Sequence, residues 1–202
     1  MDQTQNDLLR EWLDCRDMYL QQMLEGEGPP LDSSCLNCGA LDATINCSDC
    51  IAQAMTCPEC AVGLHQDIPF HRISRWNGRY YEKESLFDLG LIVHLGHVGK
   101  PCPQQDNGKE SAILVAHTTG YHHLRVLWCK CPGKEDHAMQ LFSHRLFPAS
   151  FKRTQTVFTF DVLDHFYLDA MECKTPAMSF HAKLQRLTCS VDPGSAPVSS
   201  YF

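Results

Sequence analysis

Residues 35–71 read CLNCGALDATINCSDCIAQAMTCPECAVGLHQDIPFH, and this stretch decides the fold. Its three Cys-x2-Cys pairs and two histidines provide eight thiolate and imidazole groups, which are the ligands that zinc prefers. Two residues between paired cysteines let the backbone turn around one ion, so that both sulfurs reach it at about 2.3 Å. The stretch has too few large apolar side chains for a core of its own. We therefore expect bound metal to organise it.

Eight ligands are enough for two tetrahedral zinc sites. Four consecutive ligand pairs favour a cross-brace, in which the first and third pairs share one ion and the second and fourth pairs share the other. The predicted sites are Cys35, Cys38, Cys57 and Cys60 for one ion, and Cys47, Cys50, His65 and His71 for the other.

A third ligand set lies downstream, on either side of a predicted β-hairpin. Residues 112–117 (AILVAH) and 121–128 (YHHLRVLW) are rich in β-branched and aromatic residues and are separated by a turn containing Gly120. The hairpin would bring two ligand pairs together, because one precedes it and the other directly follows its second strand. The predicted third zinc site is His97, Cys102, Cys129 and Cys131, with His94 as an alternative to His97.

Composition places the chain in a reducing compartment. The 202 residues are 44% hydrophobic and contain no apolar run near the roughly 18 to 20 residues of a transmembrane helix. The N-terminus carries acidic residues where a secretory signal would be basic and then apolar. We therefore expect an intracellular, nuclear protein with no membrane partner, whose cysteines bind metal instead of forming disulfides.

The predicted architecture is a small zinc-stabilised α+β fold in which a ZZ/B-box-like cross-brace is followed by a hairpin zinc site and C-terminal helices. Its parts are an amphipathic helix and linker (1–34), the two-zinc cluster (35–76), a short helix at 85–90 and the hairpin site (77–150), a helical segment (151–190) and a disordered tail (191–202). Two helices are expected in the helical segment, from 160 to 172 and then to 187, the second capped by Thr175. The N-terminal helix either docks on the rest of the chain, which is the commoner case, or pairs with a protein partner.

Each predicted zinc site has four protein ligands and leaves no position for a water molecule, which zinc catalysis needs. Deaminase, metalloprotease, phosphate-loop and nucleophile-elbow motifs are all missing from the sequence. We therefore expect neither enzymatic activity nor a small-molecule substrate.

Several motifs together resemble a known family. They are HQDIPFHRISRWNG (65–78), SLFDLGLIVHLGH (85–97), Cys102-Pro103, WCKC (128–131), and the later segments QLF (140–142), LFPA (146–149) and FTFDVLDHF (158–166). In content and order they are similar to the CxC-like cysteine cluster domain associated with fungal KDZ (Kyakuja-Dileera-Zisupton) transposases, over roughly residues 10–190. The resemblance implies an accessory role beside a separate RNase H-like catalytic core. The core's carboxylates have no matching positions here, so no catalytic residue is carried over.

Three functions follow as hypotheses: two are recognition functions, and the third, held as a remote alternative to the absence of activity expected above, is enzymatic. Residues 68–153 carry 12 basic and 7 acidic side chains, whereas residues 1–67 carry 2 and 12. The first hypothesis is binding to DNA or chromatin through Arg72, Arg75, Arg79, Lys83 and Arg125, with Trp76 stacking or, more simply, packing in the core. The second is binding of basic peptides, as in ZZ and B-box domains, through the acidic cluster Asp42, Asp49, Glu59 and Asp67. A remote third is a RING-like ubiquitin ligase, from which the pair at Cys47 and Cys50 departs.

Overall fold

The computed structural model describes residues 4–30, 32–104, 110–133, 136–152 and 154–197. Its α-helices are α1 (Gln5–Gly26), α2 (Pro58–Leu64), α3 (His137–Ser143), α4 (Phe160–Glu172) and α5 (Ala177–Thr188). Its strands are β1 (Ile45–Cys47), β2 (Ile73–Trp76), β3 (Tyr81–Glu84), β4 (Ile92–Leu95), β5 (Ser111–His117), β6 (Gly120–Trp128), β7 (Leu146–Pro148) and β8 (Thr156–Thr159). The α+β class predicted from the sequence is confirmed.

The first sheet is a small antiparallel one with the strand order β1-β2-β3. Cys47 at the end of β1 pairs with Ile73 at the start of β2. Helix α2 lies between these strands in the chain, so residues 48–72 leave the sheet and return to it at the same end of the β1–β2 pair. This excursion is what brings distant cysteines and histidines to one place.

The second sheet has five strands in the order β4-β6-β5-β8-β7. The predicted hairpin forms its centre, as β5 and β6, with His117 paired to Gly120 at the turn. Strand β4 lies parallel to β6, and β8 lies parallel to β5. Cys129 and Cys131 directly follow β6, next to the end of β4.

The main core joins the two sheets. Its buried residues include Ile45 and Ile73 of the first sheet, Leu86 and Leu91 of the connection, and Val115 of the second sheet. Helices α4 and α5 build a second cluster around Val162, Phe180 and Leu184 against the hairpin, and a small third cluster surrounds Cys35 and Cys57. The excursion around α2 is therefore not an isolated unit, because its apolar residues belong to a core shared with the second sheet.

Local structure differs from the sequence predictions at three places. Residues 85–90 form turns, not the expected short helix, although Ser85 Oγ accepts the Asp88 N–H as a cap would. The residue that caps α5 is Pro176, so the helix begins one residue later than predicted and without a side-chain cap. In the segment expected to be a disordered tail, Pro193–Ser195 form a 3₁₀ turn and Ala196 is buried, while residues 198–202 lie outside the described ranges.

Helix α1 begins with a complete capping box but buries none of its described residues. Thr4 and Asp7 form a capping box at its N-terminus. None of its residues is buried, and Leu9, Trp12 and Leu20 each keep about half of their surface exposed. The docking that was expected from its amphipathic pattern is therefore not made within the described chain. Among the described residues, no helix combines the length and apolar character that crossing a bilayer requires.

Candidate metal centres

The structure gathers twelve side chains into three groups of four, and within each group the ligand atoms all lie within 4.8 Å of one another. The groups are Cys35, Cys38, Cys57 and Cys60 (site 1), Cys47, Cys50, His65 and His71 (site 2), and His97, Cys102, Cys129 and Cys131 (site 3). Each group could hold a metal ion. The groups are those that the spacing of the sequence predicts.

Site 1 is built by a tight turn and a helix start. The Cys35 carbonyl accepts the Gly39 N–H at 2.7 Å, and Gly39 has a φ of 77° that favours glycine. Cys57 is the N-cap of α2, and its sulfur accepts the Cys60 N–H at 3.5 Å. The Asn37 amide donates to the Cys60 sulfur at 3.1 Å. Donors from backbone and side chain thus already surround the sulfurs, as thiolate ligands require.

Site 2 joins β1 to the far end of α2. His65 is buried, and its Nδ1 lies 2.7 Å from the Ala61 carbonyl, which fixes Nδ1 as the protonated nitrogen and turns Nε2 towards Cys50 at 3.5 Å. His71 instead presents Nδ1, at 3.5 Å from the Cys47 sulfur and 3.4 Å from that of Cys50. This is the arrangement of neutral imidazoles that bind zinc through one nitrogen each.

Site 3 lies at the end of the hairpin. His97 Nε2 is 3.3 Å from the sulfurs of both Cys129 and Cys131, and the Cys102 sulfur lies 3.7 Å from that of Cys131. Gly96 has a φ of 123°, and a Cβ there would come within 2.7 Å of the Cys129 Cβ. Only glycine therefore lets the loop bring His97 over the site.

Gln140 on α3 holds Cys129 from behind and was not anticipated from the sequence. Its buried side-chain amide accepts the Cys129 N–H at 2.8 Å and donates to the Cys129 carbonyl at 3.0 Å. The alternative ligand His94 stays outside the group. It lies on β4, and its Nδ1 is buried without a hydrogen-bond partner in the described part of the chain.

The protonation of the thiols indicates that these groups need a cation. The Cys57 backbone N–H lowers the pKa of Cys35 to about 6. Despite the hydrogen bond from Asn37, which lowers it, the neighbouring sulfurs raise the pKa of Cys60 to about 12. At site 2, burial raises the pKa of Cys47, but hydrogen bonds with His65, the Asp49 backbone and Cys50 together outweigh burial and bring the value to about 6. The protein alone cannot keep every thiolate of a group charged, whereas a divalent cation would do so.

The basic residues predicted to contact DNA are largely engaged within the protein. Arg72 donates to Asp49 through its backbone N–H and its guanidinium, both at 2.6 Å, and so closes the loop of site 2. Arg75 pairs with Glu84 at 2.9 Å. Lys83 donates through Nζ to the Thr188 carbonyl. Arg125 lies over the Phe87 ring and 3.5 Å from Glu110. Arg79 is exposed in a turn.

The other predicted recognition residues are spread over the surface. Trp76 is half-buried and packs against Tyr81, with 5.0 Å between the ring centroids. Asp42, Glu59 and Asp67 are exposed, whereas the remaining acidic residue, Asp49, is paired with Arg72.

Comparison with known proteins identifies the downstream part of the chain. No curated protein and no solved structure matches the chain. A family model described as a CxC2-like cysteine cluster associated with KDZ transposases matches residues 86–192, which is more than half of the chain. The match includes site 3, the second sheet and both C-terminal helices, whereas sites 1 and 2 precede it and depend on the geometry alone. The chain thus belongs to the family of CxC2-like cysteine cluster domains associated with KDZ transposases.

Proposed function

We propose that the chain is a non-catalytic accessory module of a KDZ-type transposase system, with a fold that three structural zinc ions hold together. The observation that carries the proposal is the convergence of three complete ligand quartets. With four protein ligands, each ion would be coordinatively saturated, so that it stabilises structure and offers no open position for a reacting water molecule. In such sites, the free energy of metal binding is folding free energy.

Elemental analysis of the purified chain tests the zinc proposal. We expect three zinc ions per folded chain. Replacing one ligand in each quartet separately (Cys57→Ser, Cys47→Ser or Cys131→Ser) removes one ion at a time. Cys173→Ser is the matched control, because Cys173 is exposed and outside the quartets, and it retains all three. A folded wild-type chain with fewer than three bound ions refutes the proposed count.

Recognition of DNA or chromatin in the nucleus is the first candidate for the accessory role. It is supported by the association of the family with transposases and by the basic middle of the sequence. Phosphate contacts by Arg72 and Arg75 would first require their ion pairs with Asp49 and Glu84 to break, which weakens DNA binding. A salt titration against double-stranded DNA tests it, since phosphate contacts make affinity fall steeply as salt rises. Affinity that is independent of salt, or unchanged in Arg79→Ala, contradicts this candidate.

Docking to a protein partner through α1 is the second candidate, and the exposed apolar face of α1 favours it. Nine apolar residues of α1 are at least half exposed: Leu8, Leu9, Trp12, Leu13, Met18, Tyr19, Leu20, Met23 and Leu24. At 3.6 residues per turn, all of them except Met18 lie on one side of the helix, which also carries Arg16. A contiguous apolar face of this extent on a soluble protein marks an interaction site. The partner we propose is the transposase polypeptide with which the family is associated, and the acidic opposite face of α1 suits a groove rimmed by basic residues.

Calorimetric titration of the full chain with the transposase catalytic core tests this docking. We expect Trp12→Lys to abolish binding with zinc content unchanged. Asp14→Lys, on the opposite face, is the matched control and keeps most of the affinity. Equal binding of the Trp12 and Asp14 variants contradicts docking through the apolar face, as does sedimentation of the chain alone as a dimer that depends on Trp12.

A further inference from the structure

Two adjoining cavities form one cleft between sites 2 and 3. The outer part is open, encloses about 910 Å³ and runs between site 3 and α3. The inner part encloses about 200 Å³ and reaches towards the main core. Both parts are lined by Asp67, Gly99 and His144, so the inner pocket opens from the outer cleft. An extended chain can occupy the outer part, and one side chain fits the inner part.

The inner pocket combines apolar walls with a charged mouth. Phe70, Val93, Leu124 and Leu146 supply the walls. Gln66 is already used, because its amide donates to the Ile92 carbonyl at 2.6 Å. Asp67 at the mouth is exposed and makes no hydrogen bond or ion pair with any described residue. A side chain with a long aliphatic stem and a polar end matches such a pocket.

The charge of the cleft selects a cation. Asp67 and Asp136 line the outer part, and Asp136 also caps α3 by accepting the Ala138 and Met139 N–H groups. Among the described residues neither lysine nor arginine lines either part, although Lys100, Lys130 and Lys134 are neighbours of lining residues in the chain. Three thiolates, one imidazole and a zinc ion would give site 3 a charge of about −1. His94, whose Nδ1 is buried without a partner, also lines the inner pocket and could accept a hydrogen bond. Nucleic-acid phosphates are disfavoured in such surroundings.

We propose that this cleft binds an extended basic segment of a partner protein, with one arginine or lysine side chain entering the inner pocket. The aliphatic stem packs against Phe70 and Leu124, and the cationic end lies at Asp67. The inference rests on the proposed zinc scaffold, because site 3 forms one wall of the cleft. It is independent of the docking proposed for α1, which uses a different surface.

Fluorescence anisotropy with labelled glycine-serine decapeptides tests the proposal on the full zinc-loaded chain. The probes carry two arginines, two lysines, or two citrullines, which have the shape of arginine without its charge. We expect the cationic peptides to bind at least fivefold more tightly than the citrulline peptide. Equal affinities for the arginine and citrulline peptides overturn the proposal.

Charge reversal locates the site. Asp67→Lys should weaken binding of the arginine peptide about fivefold, whereas Asp42→Lys, an exposed aspartate that does not line the cleft, should weaken it less than twofold. Equal effects of the two variants mean attraction by net charge alone and overturn the cleft.

Zinc content is measured for every sample, which separates the two proposals. A chain with three zinc ions that binds no cationic peptide refutes the cleft and leaves the scaffold intact. A wild-type chain that folds without zinc at site 3 refutes the scaffold directly.

Discussion

Replacing Cys57 by serine should remove the zinc ion of site 1 and unfold only the lobe around it. Cys57 contributes one of the four sulfurs of site 1. Its second role, capping α2, survives the substitution, because a serine hydroxyl is a good N-cap. The variant therefore tests the metal ligand separately from the start of the helix.

The magnitude follows from how little else holds this lobe. Among the described residues, the buried apolar cluster around site 1 consists of Cys35, Ala43 and Cys57, with Met55 and Cys60 partly buried against it. Structural zinc contributes about 10 to 16 kcal/mol of apparent binding free energy in finger peptides, which is as much as the whole stability of many domains. So small a cluster cannot replace a contribution of that size. The main core, in contrast, keeps its packing between the two sheets.

Two measurements follow this local loss. Elemental analysis should give two zinc ions per chain in place of three. Hydrogen exchange should lose its protection at the Gly39 and Cys35 amides, which donate at 2.7 Å to the Cys35 and Ala40 carbonyls, while β5 and β6 stay protected. Cys189→Ser, outside all three groups, should be nearly silent in both measurements. A Cys57→Ser protein with three zinc ions and wild-type exchange at Gly39 would refute the ligand assignment.

Three further predictions concern the body of the fold. Gly120→Ala should lower the free energy of unfolding, measured by chemical denaturation, by about 3 kcal/mol, because Gly120 has a φ of 125° and a Cβ there would lie 2.7 Å from Thr188 Oγ1. Gly63→Ala is the control: an added Cβ on α2 has nothing within 4 Å there, and the free energy of unfolding should not decrease. Gln140→Leu should weaken zinc binding at site 3 about 10- to 100-fold in a chelator competition, because the Cys129 backbone loses both amide partners; unchanged affinity would show that Gln140 does not position this ligand. Burial lowers the pKa of His122 to about 3. The folded chain therefore keeps this imidazole neutral, whereas the unfolded chain takes up a proton below about pH 6.5. The free energy of unfolding should accordingly decrease as the pH falls through about 6.5. An NMR titration of the His122 ring between pH 7.5 and 4.5 should show no protonation, and a midpoint near 6.5 would contradict it.

The sequence predicts those features of this protein that depend on local spacing. The spacing of two residues between paired cysteines predicts a zinc knuckle from a few consecutive residues. The hairpin between Cys102 and Cys129 likewise predicts that the ligands before it and after it lie close together. The same holds for α1 and α4, whose apolar periodicity is contained in the helix itself. The α+β class could be inferred from these elements.

Features that depend on distant pairings could not be predicted. The parallel contacts of β4 with β6 and of β5 with β8 join strands that are far apart in sequence, and no local pattern specifies them. The ion pairs of Arg72 with Asp49 and of Arg75 with Glu84 arise because the first sheet brings these residues together. A count of basic residues therefore overstates the surface that is available to DNA. Gln140 was missed for the same reason, since nothing in its neighbourhood in the sequence marks it as a partner of Cys129.

The zinc-site lobes and the segment matched by the family model are physically one unit, although the match begins only at residue 86. The Phe70 carbonyl accepts a hydrogen bond from Thr119 at 2.9 Å, and Lys83 Nζ donates to the Thr188 carbonyl. Thr188 also accepts the Tyr121 N–H at 2.7 Å, so the end of α5 is bonded to the hairpin and to β3 at once. Because Ile73 and Val115 share one core, loss of metal at site 2 has to disturb the second sheet, whereas loss at site 1 does not. The three proposed ions would therefore differ in consequence: the ion of site 1 would shape a peripheral lobe, whereas those of sites 2 and 3 would hold the two sides of one body.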